Sequence, residues 1–141
     1  MNRSLQRHIQ AIDKKLYKRL KSATPQSFAR LWVSHHDYAK HLKKRLRHHD
    51  IQDAADYLSK AKEAFLHPRH VYYAKNRGAK LLYLGEGWVD VVSSEGKLIT
   101  SYHRYKPIED ILKKERMRDK RVIPIASQEI ETLRKTYTKK G

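Results

Sequence analysis

Residues 80–104, KLLYLGEGWVDVVSSEGKLITSYHR, limit the fold of this chain more than any other stretch. They contain three short runs of aliphatic, β-branched and aromatic residues, at 81–84, 88–92 and 98–102, separated by glycine- and serine-rich turns. Runs of this kind predict strands, and connections this short join antiparallel neighbours. The stretch therefore predicts three strands of one antiparallel sheet.

Helical periodicity dominates the sequence on either side of these strands. Apolar residues spaced three and four apart predict helices at 4–21, 34–47, 52–66 and 108–118, with a last helix from Ser127. A fourth strand is predicted at 71–73, and Pro124 makes the short extended piece at 122–125 peripheral. We predict the α+β class, with N-terminal helices followed by a small four-stranded antiparallel sheet and a C-terminal helix. A length of 141 residues suits a single domain, 1–141.

The charge of the chain restricts its partners. Lys and Arg number 32 against 15 Asp and Glu, a formal net charge of +17. Such an excess repels itself in a compact fold, so we expect a polyanion as partner, either nucleic acid or an anionic membrane. No apolar run approaches the roughly 20 residues of a membrane span, and the N-terminus lacks the apolar centre of a signal peptide. We therefore expect nucleic acid rather than membrane, and a protein of the cytoplasm or one delivered into a target cytoplasm.

Nine histidines and no cysteine bear on metal binding. The absence of cysteine excludes disulfides and thiolate sites. His35, His36, His48 and His49 lie close to His41 in sequence, but a metal needs ligands that converge on one point. The neighbouring lysines also create a positive field that disfavours a dication. We predict no metal and no other cofactor, and we interpret His48 and His49 as solvated.

Reactive side chains occur on a predicted helix and on the predicted sheet. His41 and Arg45 are four residues apart and so share one helix face. The last strand ends in Thr-Ser-Tyr-His-Arg, which suits the floor of an active site, although a solvated edge strand explains it equally well. His70 and Lys75 flank the first strand, and His103 with Arg104 end the last one. Each element thus offers an imidazole with a strong cation nearby.

Imidazoles beside cations are what RNA cleavage without a metal requires. One group takes the proton of the 2′-hydroxyl, a cation stabilises the phosphorane, and an acid protonates the leaving 5′-oxygen. We predict His41 as the base, His103 or His70 as the acid, and Arg45 with Arg104 on the phosphate. Further basic residues predicted to bind nucleic acid are Lys40, Lys43, Lys44, Arg47 and Lys75. Tyrosines interleaved with them suit stacking of single-stranded bases, unless they are mostly core residues.

The motifs between about residues 33 and 105 resemble a known family of nucleases. They are His41-x-x-x-Arg45, Asp56-Tyr57-Leu58, His67-Pro-Arg-His-Val-Tyr-Tyr73, Leu-Leu-Tyr at 81–83, Val-Asp-Val-Val at 89–92 and Leu-Ile-Thr-Ser-Tyr at 98–102. This series resembles the barnase/EndoU/colicin/RelE-like nuclease superfamily, in particular its phage-encoded and polymorphic-toxin branches. The resemblance implies helices followed by a four-stranded antiparallel sheet, and cleavage of RNA, often tRNA, without a metal.

The resemblance also implies roles and boundaries. His41 and Arg45 match the helical motif, and Thr100 and Tyr102 match the motif on the last strand, where we expect them to position the ribose or the phosphate. The matched part would be a nuclease-like core at 34–105, with an N-terminal helical extension at 1–33 and a C-terminal helical segment at 106–141.

We therefore expect an RNA-binding, metal-independent endoribonuclease of toxin-like type that cleaves by 2′-hydroxyl transesterification. The first alternative is a basic nucleic-acid-binding protein without catalysis, which explains charge spread over all the helices. Binding with a steep salt dependence but no cutting would distinguish it. The third class is an interaction protein. Separately, the ribonuclease prediction allows a second partner, a protein that neutralises this chain.

Overall fold

The structure is a computed structural model that describes residues 3–75, 78–119 and 121–138. Its helices are α1 (Arg3–Lys21), α2 (His35–Arg47), α3 (Ala54–Leu66), α4 (Ile108–Asp119) and α5 (Ser127–Thr138), with a turn of 3-10 helix at Phe28–Leu31. Its strands are β1 (His70–Lys75), β2 (Ala79–Leu84), β3 (Trp88–Ser93), β4 (Leu98–His103) and β5 (Val122–Ile125). The α+β class and the order of helices and sheet are confirmed.

The sheet has five strands, so the prediction of four was wrong by one. Its order is β4-β3-β2-β1-β5, and every neighbouring pair is antiparallel. The additional strand β5 is the segment predicted to be peripheral, and it pairs with β1 through positions that include Pro124 opposite Tyr72. Proline is tolerated there because an edge strand has one side without a ladder partner.

One face of the sheet is covered by helices α1 and α3. In α1, Ile9, Ile12, Leu16 and Leu20 are fully buried, and they belong to the same core as Tyr57, Phe65, Trp88 and Leu98. At about 1.5–3 kcal/mol for each buried aliphatic side chain, this stripe makes α1 a large contributor to the core. The helix predicted as an extension outside the nuclease-like core therefore packs directly on the sheet.

The other face of the sheet is covered as well. Leu82, Leu84, Val89 and Val91 are buried there, and Ile108 and Ile111 of α4 pack against them. Strands buried on both faces have nearly continuous apolar runs, which is what β2 and β3 show. Helix α4 thus lies against the face of the sheet opposite α1.

A buried ion pair joins the first helix to the last. Arg134 of α5 donates from Nε and Nη2 to the carboxylate of Asp13 in α1, at 3.0 and 2.9 Å. Arg134 also donates to the carbonyl oxygens of Phe65 and Leu66 in α3, at 2.9 and 3.3 Å. The hydroxyl of Tyr83 in β2 donates to the same carboxylate at 2.6 Å. Four elements are therefore connected through two buried charges.

No helix in the described ranges has the length and apolar character needed to cross a membrane.

Candidate functional site

Helix α2 is held against the last strand of the sheet by its N-terminus. Ser34 caps the helix, because its Oγ accepts from the backbone N–H of Asp37 at 3.0 Å. Just before the cap, the backbone N–H of Val33 donates to the carbonyl of Leu98 at 2.9 Å, and Trp32 bridges to the same residue. These contacts place α2 along the free edge of β4 and bring His41 beside Thr100.

A cleft of about 840 Å³ opens between α2, β4 and α4. Of the residues predicted as a site, His41, Lys44, Arg45, Thr100, Tyr102, His103 and Arg104 line it. Seven lysines and arginines line the cleft but only two acidic residues, Asp110 and Glu115. A concave, low-dielectric surface of one charge sign concentrates ligands of the opposite sign. The cleft is therefore suited to an anionic ligand.

His41 lies in the wall of the cleft, and its neighbours restrict the rotation of its imidazole ring. Its ring stacks on Trp32 with centroids 5.4 Å apart, and Nδ1 lies 3.4 Å from the Thr100 hydroxyl oxygen. Burial lowers the pKa of His41, and the charge of Arg45 lowers it further, although Asp37 acts in the opposite sense. The imidazole is consequently biased toward its neutral form, which is the form that accepts a proton.

Tyr102 and a buried ion pair form the floor of the cleft. Lys80 Nζ lies 2.8 Å from a carboxylate oxygen of Glu115 in α4, and Glu115 is 8% exposed. Burial raises the pKa of Tyr102, Glu115 raises it further, and Arg104 and Arg45 oppose them. The phenol therefore stays protonated at neutral pH and can donate a hydrogen bond into the cleft.

His103 lies at the end of β4, on the rim of the cleft. Its ring meets that of Tyr105 edge to face with centroids 4.4 Å apart. Tyr105 is 66% exposed, so much of its surface beside His103 is open to solvent. An imidazole and an accessible aromatic ring thus occur together at the mouth of the cleft.

Arg45 lines the cleft but is not a free cation, contrary to what its spacing from His41 suggested. Its side chain is 7% exposed, and Nη1 forms a salt bridge of 3.0 Å with Asp50, which is 4% exposed. The hydroxyl of Tyr105 donates to the other oxygen of the same carboxylate. Asp50 was missed because it lies in the loop after α2, where no helical spacing relates it to Arg45.

Three side-chain nitrogens of residues that line the cleft are buried and form no hydrogen bond with the described part of the chain. They are Arg45 Nε, His103 Nδ1 and Arg104 Nε. An unpaired buried polar group costs about 1–3 kcal/mol, so such groups are uncommon in a folded protein. The residues of this cleft therefore contain polar atoms that the described part of the chain leaves unpaired.

The other predicted site residues lie outside the cleft. His70 is exposed at the start of β1, three strands from β4, and does not share a site with His41. Lys40, Lys43 and Arg47 are exposed on α2 but do not line the cleft. Lys75 lines a separate pocket with His8 and Arg121. The structure thus brings together two of the three histidines proposed for catalysis.

The wall formed by α4 was not predicted as part of the site. Lys106, Lys113 and Lys114 line the cleft from this segment, with Lys80 from β2. A signal was present, because apolar residues on both faces of β2 and β3 require a second covering layer, and Ile108 with Ile111 provides it. Within the described residues, no three His, Asp or Glu side chains are grouped as a metal site would require.

Comparison with known proteins gives a family but no described activity. No curated protein and no solved structure matches the chain significantly. A family model described as "Uncharacterised protein aq_aa01" matches residues 22–139, from the end of α1 to beyond α5. This match includes every residue that lines the cleft. The chain therefore belongs to the family that this model describes.

Proposed function

We propose that this protein is an RNA-binding, metal-independent endoribonuclease that cleaves by 2′-hydroxyl transesterification. The observation that carries the proposal is the neutral-biased imidazole of His41, held against Thr100 in a basic cleft that also contains His103. A base, an acid and phosphate-binding cations are the groups that this reaction needs. The resemblance to the nuclease superfamily supports the same conclusion and suggests a toxin-like protein directed at tRNA.

His41 is the general base in this proposal. If its Nδ1–H donates to the Thr100 hydroxyl, Nε2 is left as the proton acceptor, because the hydrogen bond at one ring nitrogen fixes the other. Trp32 on the ring face restricts rotation of the imidazole. Arg45, held by Asp50, contributes the positive charge that lowers the pKa of His41 rather than a direct phosphate contact.

His103 is the general acid, and the cations that line the cleft bind the phosphate. His41 removes the proton from the 2′-oxygen, which attacks phosphorus while His103 protonates the departing 5′-oxygen. The products are a 2′,3′-cyclic phosphate and a 5′-hydroxyl. Arg104, just after β4, and Lys44 of α2 line the cleft and stabilise the charge of the phosphorane. The protonated phenol of Tyr102 donates a hydrogen bond to the ribose or the phosphate.

Single-stranded RNA is the substrate class that fits the mouth of the cleft. Its 2′-hydroxyl is the nucleophile, and bases that are not paired can stack on an aromatic side chain. Tyr105 provides such a surface beside His103. Stacking on one tyrosine is tolerant of sequence, so the specificity expected from the cleft alone is low.

The test is to compare His41→Ala and His103→Ala with His36→Ala in the presence of EDTA. His36 is exposed in the first turn of α2, so its replacement controls for loss of an imidazole from the same helix. Removal of a general acid or base costs about a hundredfold or more in rate. We expect losses of that size for His41→Ala and His103→Ala, with RNA affinity within a few-fold and His36→Ala unchanged. Equal rates for all three variants would refute the assigned roles.

A second candidate is a nucleic-acid-binding protein without catalysis. It is favoured by the exposed cations Lys40, Lys43 and Arg47, which lie on α2 outside the cleft and have no role in the proposed reaction. In this case, affinity for RNA falls steeply with salt because each neutralised phosphate releases counterions. RNA that stays intact while it is bound would establish this candidate in place of the ribonuclease.

A further inference from the structure

A second basic pocket lies on the face of the sheet opposite the cleft. It has a volume of about 440 Å³ and lies between α1, β1 and β5. His8 of α1, Lys75 at the end of β1 and Arg121 just before β5 provide its polar walls, and Tyr73 and Ile123 contribute apolar surface. Tyr73 belongs to the core beneath α1, whereas the residues of the cleft floor pack under α4. The two pockets are therefore separate.

The cations of this pocket form no ion pair with the described residues of the chain. No acidic residue lines it, and the five ion pairs formed among the described residues include neither Lys75 nor Arg121. In the cleft, by contrast, Arg45 and Lys80 are both paired with carboxylates. The first turn of α1 contains no acidic residue, so nothing there offsets the positive end of the helix dipole. The pocket thus presents positive charge that no acidic side chain in the described ranges neutralises.

The ring of His8 is fixed over this pocket by Tyr73. Its Nδ1 lies 3.1 Å from the Tyr73 hydroxyl, and the two rings meet edge to face at 5.7 Å and 71°. Tyr73 is 4% exposed; burial raises the pKa of its phenol, and the charge of Arg121 only partly opposes this. The phenol therefore keeps its proton and can donate to Nδ1 of His8, in which case Nε2–H is available as a donor to a ligand.

We propose that His8, Lys75 and Arg121 bind a phosphate group of the RNA backbone at a site distinct from the cleft. An ammonium, a guanidinium and an imidazole N–H are donors that bind phosphate oxygens through charge-assisted hydrogen bonds. The buried ring of Tyr73 offers no free face on which a base could stack, so the pocket recognises phosphate and not sequence. The inference rests on the proposed function for the identity of the polymer.

The position of the pocket sets the length of RNA that can use it. Strand β1 is three strands from β4, a separation of about 14 Å across the sheet, and the pocket lies on the opposite face. An oligonucleotide of about four residues in the cleft would not extend to the pocket, whereas a strand of about 20 residues can pass around the sheet to it. The pocket is therefore expected to contribute to binding of long RNA only.

The first experiment uses inorganic phosphate and the imidazole NMR signals of His8, assigned by their loss in His8→Gln. Phosphate should shift these signals in the wild-type protein but not in Lys75→Ala/Arg121→Ala. The matched control is Lys14→Ala/Arg19→Ala, which removes two exposed cations of α1 that do not line the pocket and should leave the shift intact. His8 signals unchanged by phosphate in the wild-type protein would overturn the proposal.

The second experiment measures RNA binding with both lengths of oligonucleotide in a His41→Ala background, so that cutting does not interfere. Lys75→Ala/Arg121→Ala should weaken the binding of long RNA by at least about tenfold, as expected when charged hydrogen bonds are lost, and leave the binding of short RNA unchanged. The salt slope for long RNA should fall by about 0.7, because the site neutralises one phosphate and each neutralised phosphate on a single strand adds about 0.7. Equal losses in the Lys14→Ala/Arg19→Ala control would refute the site.

The two proposals fail in different ways. If the protein binds RNA without cutting it, the ribonuclease proposal is refuted. The phosphate titration of His8 and the RNA-binding measurement then still test the pocket. If the pocket fails, cleavage of short RNA in the cleft is unaffected.

Discussion

Replacement of Asp13 by asparagine tests whether the first and last helices are integral to the fold. Asp13 is fully buried and Arg134 is 7% exposed, so the pair is shielded from water and from salt. Asparagine fills the same space and still accepts the Tyr83 hydroxyl, but it leaves the guanidinium without a counter-charge. Breaking a buried ion pair in this way costs about 3–5 kcal/mol. That is a large fraction of the roughly 5–15 kcal/mol by which a domain is stable.

The free energy of unfolding is measured by urea denaturation of the wild type, Asp13→Asn and two controls. Lys14→Gln changes the charge of an exposed neighbour in α1 and should stay within about 0.5 kcal/mol of the wild type. The triple variant Asp13→Leu/Tyr83→Phe/Arg134→Met removes the two charged side chains and the phenol that bonds to them at once. Apolar replacement of a buried ion pair is often neutral or stabilising, so the triple variant should lose less stability than Asp13→Asn does.

An Asp13→Asn protein within about 1 kcal/mol of the wild type would refute the reasoning. The contacts of Arg134 with Phe65 and Leu66 would then suffice to hold the guanidinium, and α1 and α5 would be joined mainly by apolar packing. A triple variant as unstable as Asp13→Asn would equally contradict the assignment of the loss to an unpaired charge.

Three further predictions concern stability and pH. Burial raises the pKa of Asp90 well above its ordinary value. The unfolded chain therefore loses this proton first, near its pKa of about 3.9, and the free energy of unfolding falls as pH rises from there to the pKa in the folded state. Asp90→Asn should therefore gain stability over the wild type at neutral pH but not below pH of about 4, as urea denaturation at both would show. Gly96→Ala should lower the free energy of unfolding more than Gly87→Ala does in the same assay. Both glycines have a positive φ, so both replacements are strained, but an added Cβ at Gly96 would lie 2.5 Å from Lys15 Cβ, whereas the nearest atom at Gly87 is 3.9 Å away. Because the pKa of His41 is lowered, the acid limb of the cleavage rate should lie below pH of about 6.5, and a limb above that value would exclude His41 as the base.

The sequence was informative wherever local rules decide the structure. The helix predicted at 34–47 begins where Ser34 caps it through Asp37, and the short turns predicted the pairing of β2, β3 and β4. Because α2 lies beside the edge strand, His41 and Thr100 meet, and His103 lies in the same cleft. These outcomes depend on capping and on antiparallel neighbours, both of which are readable over a few residues.

Contacts that depend on the path of a loop or on the order of the strands could not be predicted in the same way. The salt bridge of Arg45 depends on how the loop after α2 returns to the helix, and Lys80 meets Glu115 only because α4 crosses the sheet. The segment that forms β5 is short and contains a proline, so its sequence alone did not indicate that it pairs with β1. His70 seemed equivalent to His103 in sequence, since both lie at ends of strands, but strand order separates them.

The most direct test of the proposed function is an end-group analysis of RNA incubated with the purified protein in EDTA. Metal-independent transesterification in the cleft requires fragments that end in a 2′,3′-cyclic phosphate and begin with a 5′-hydroxyl. The same RNA with 2′-O-methyl groups should remain intact, since it lacks the nucleophile. Tightly bound but uncut RNA, or fragments with 3′-hydroxyl ends, would contradict the proposal.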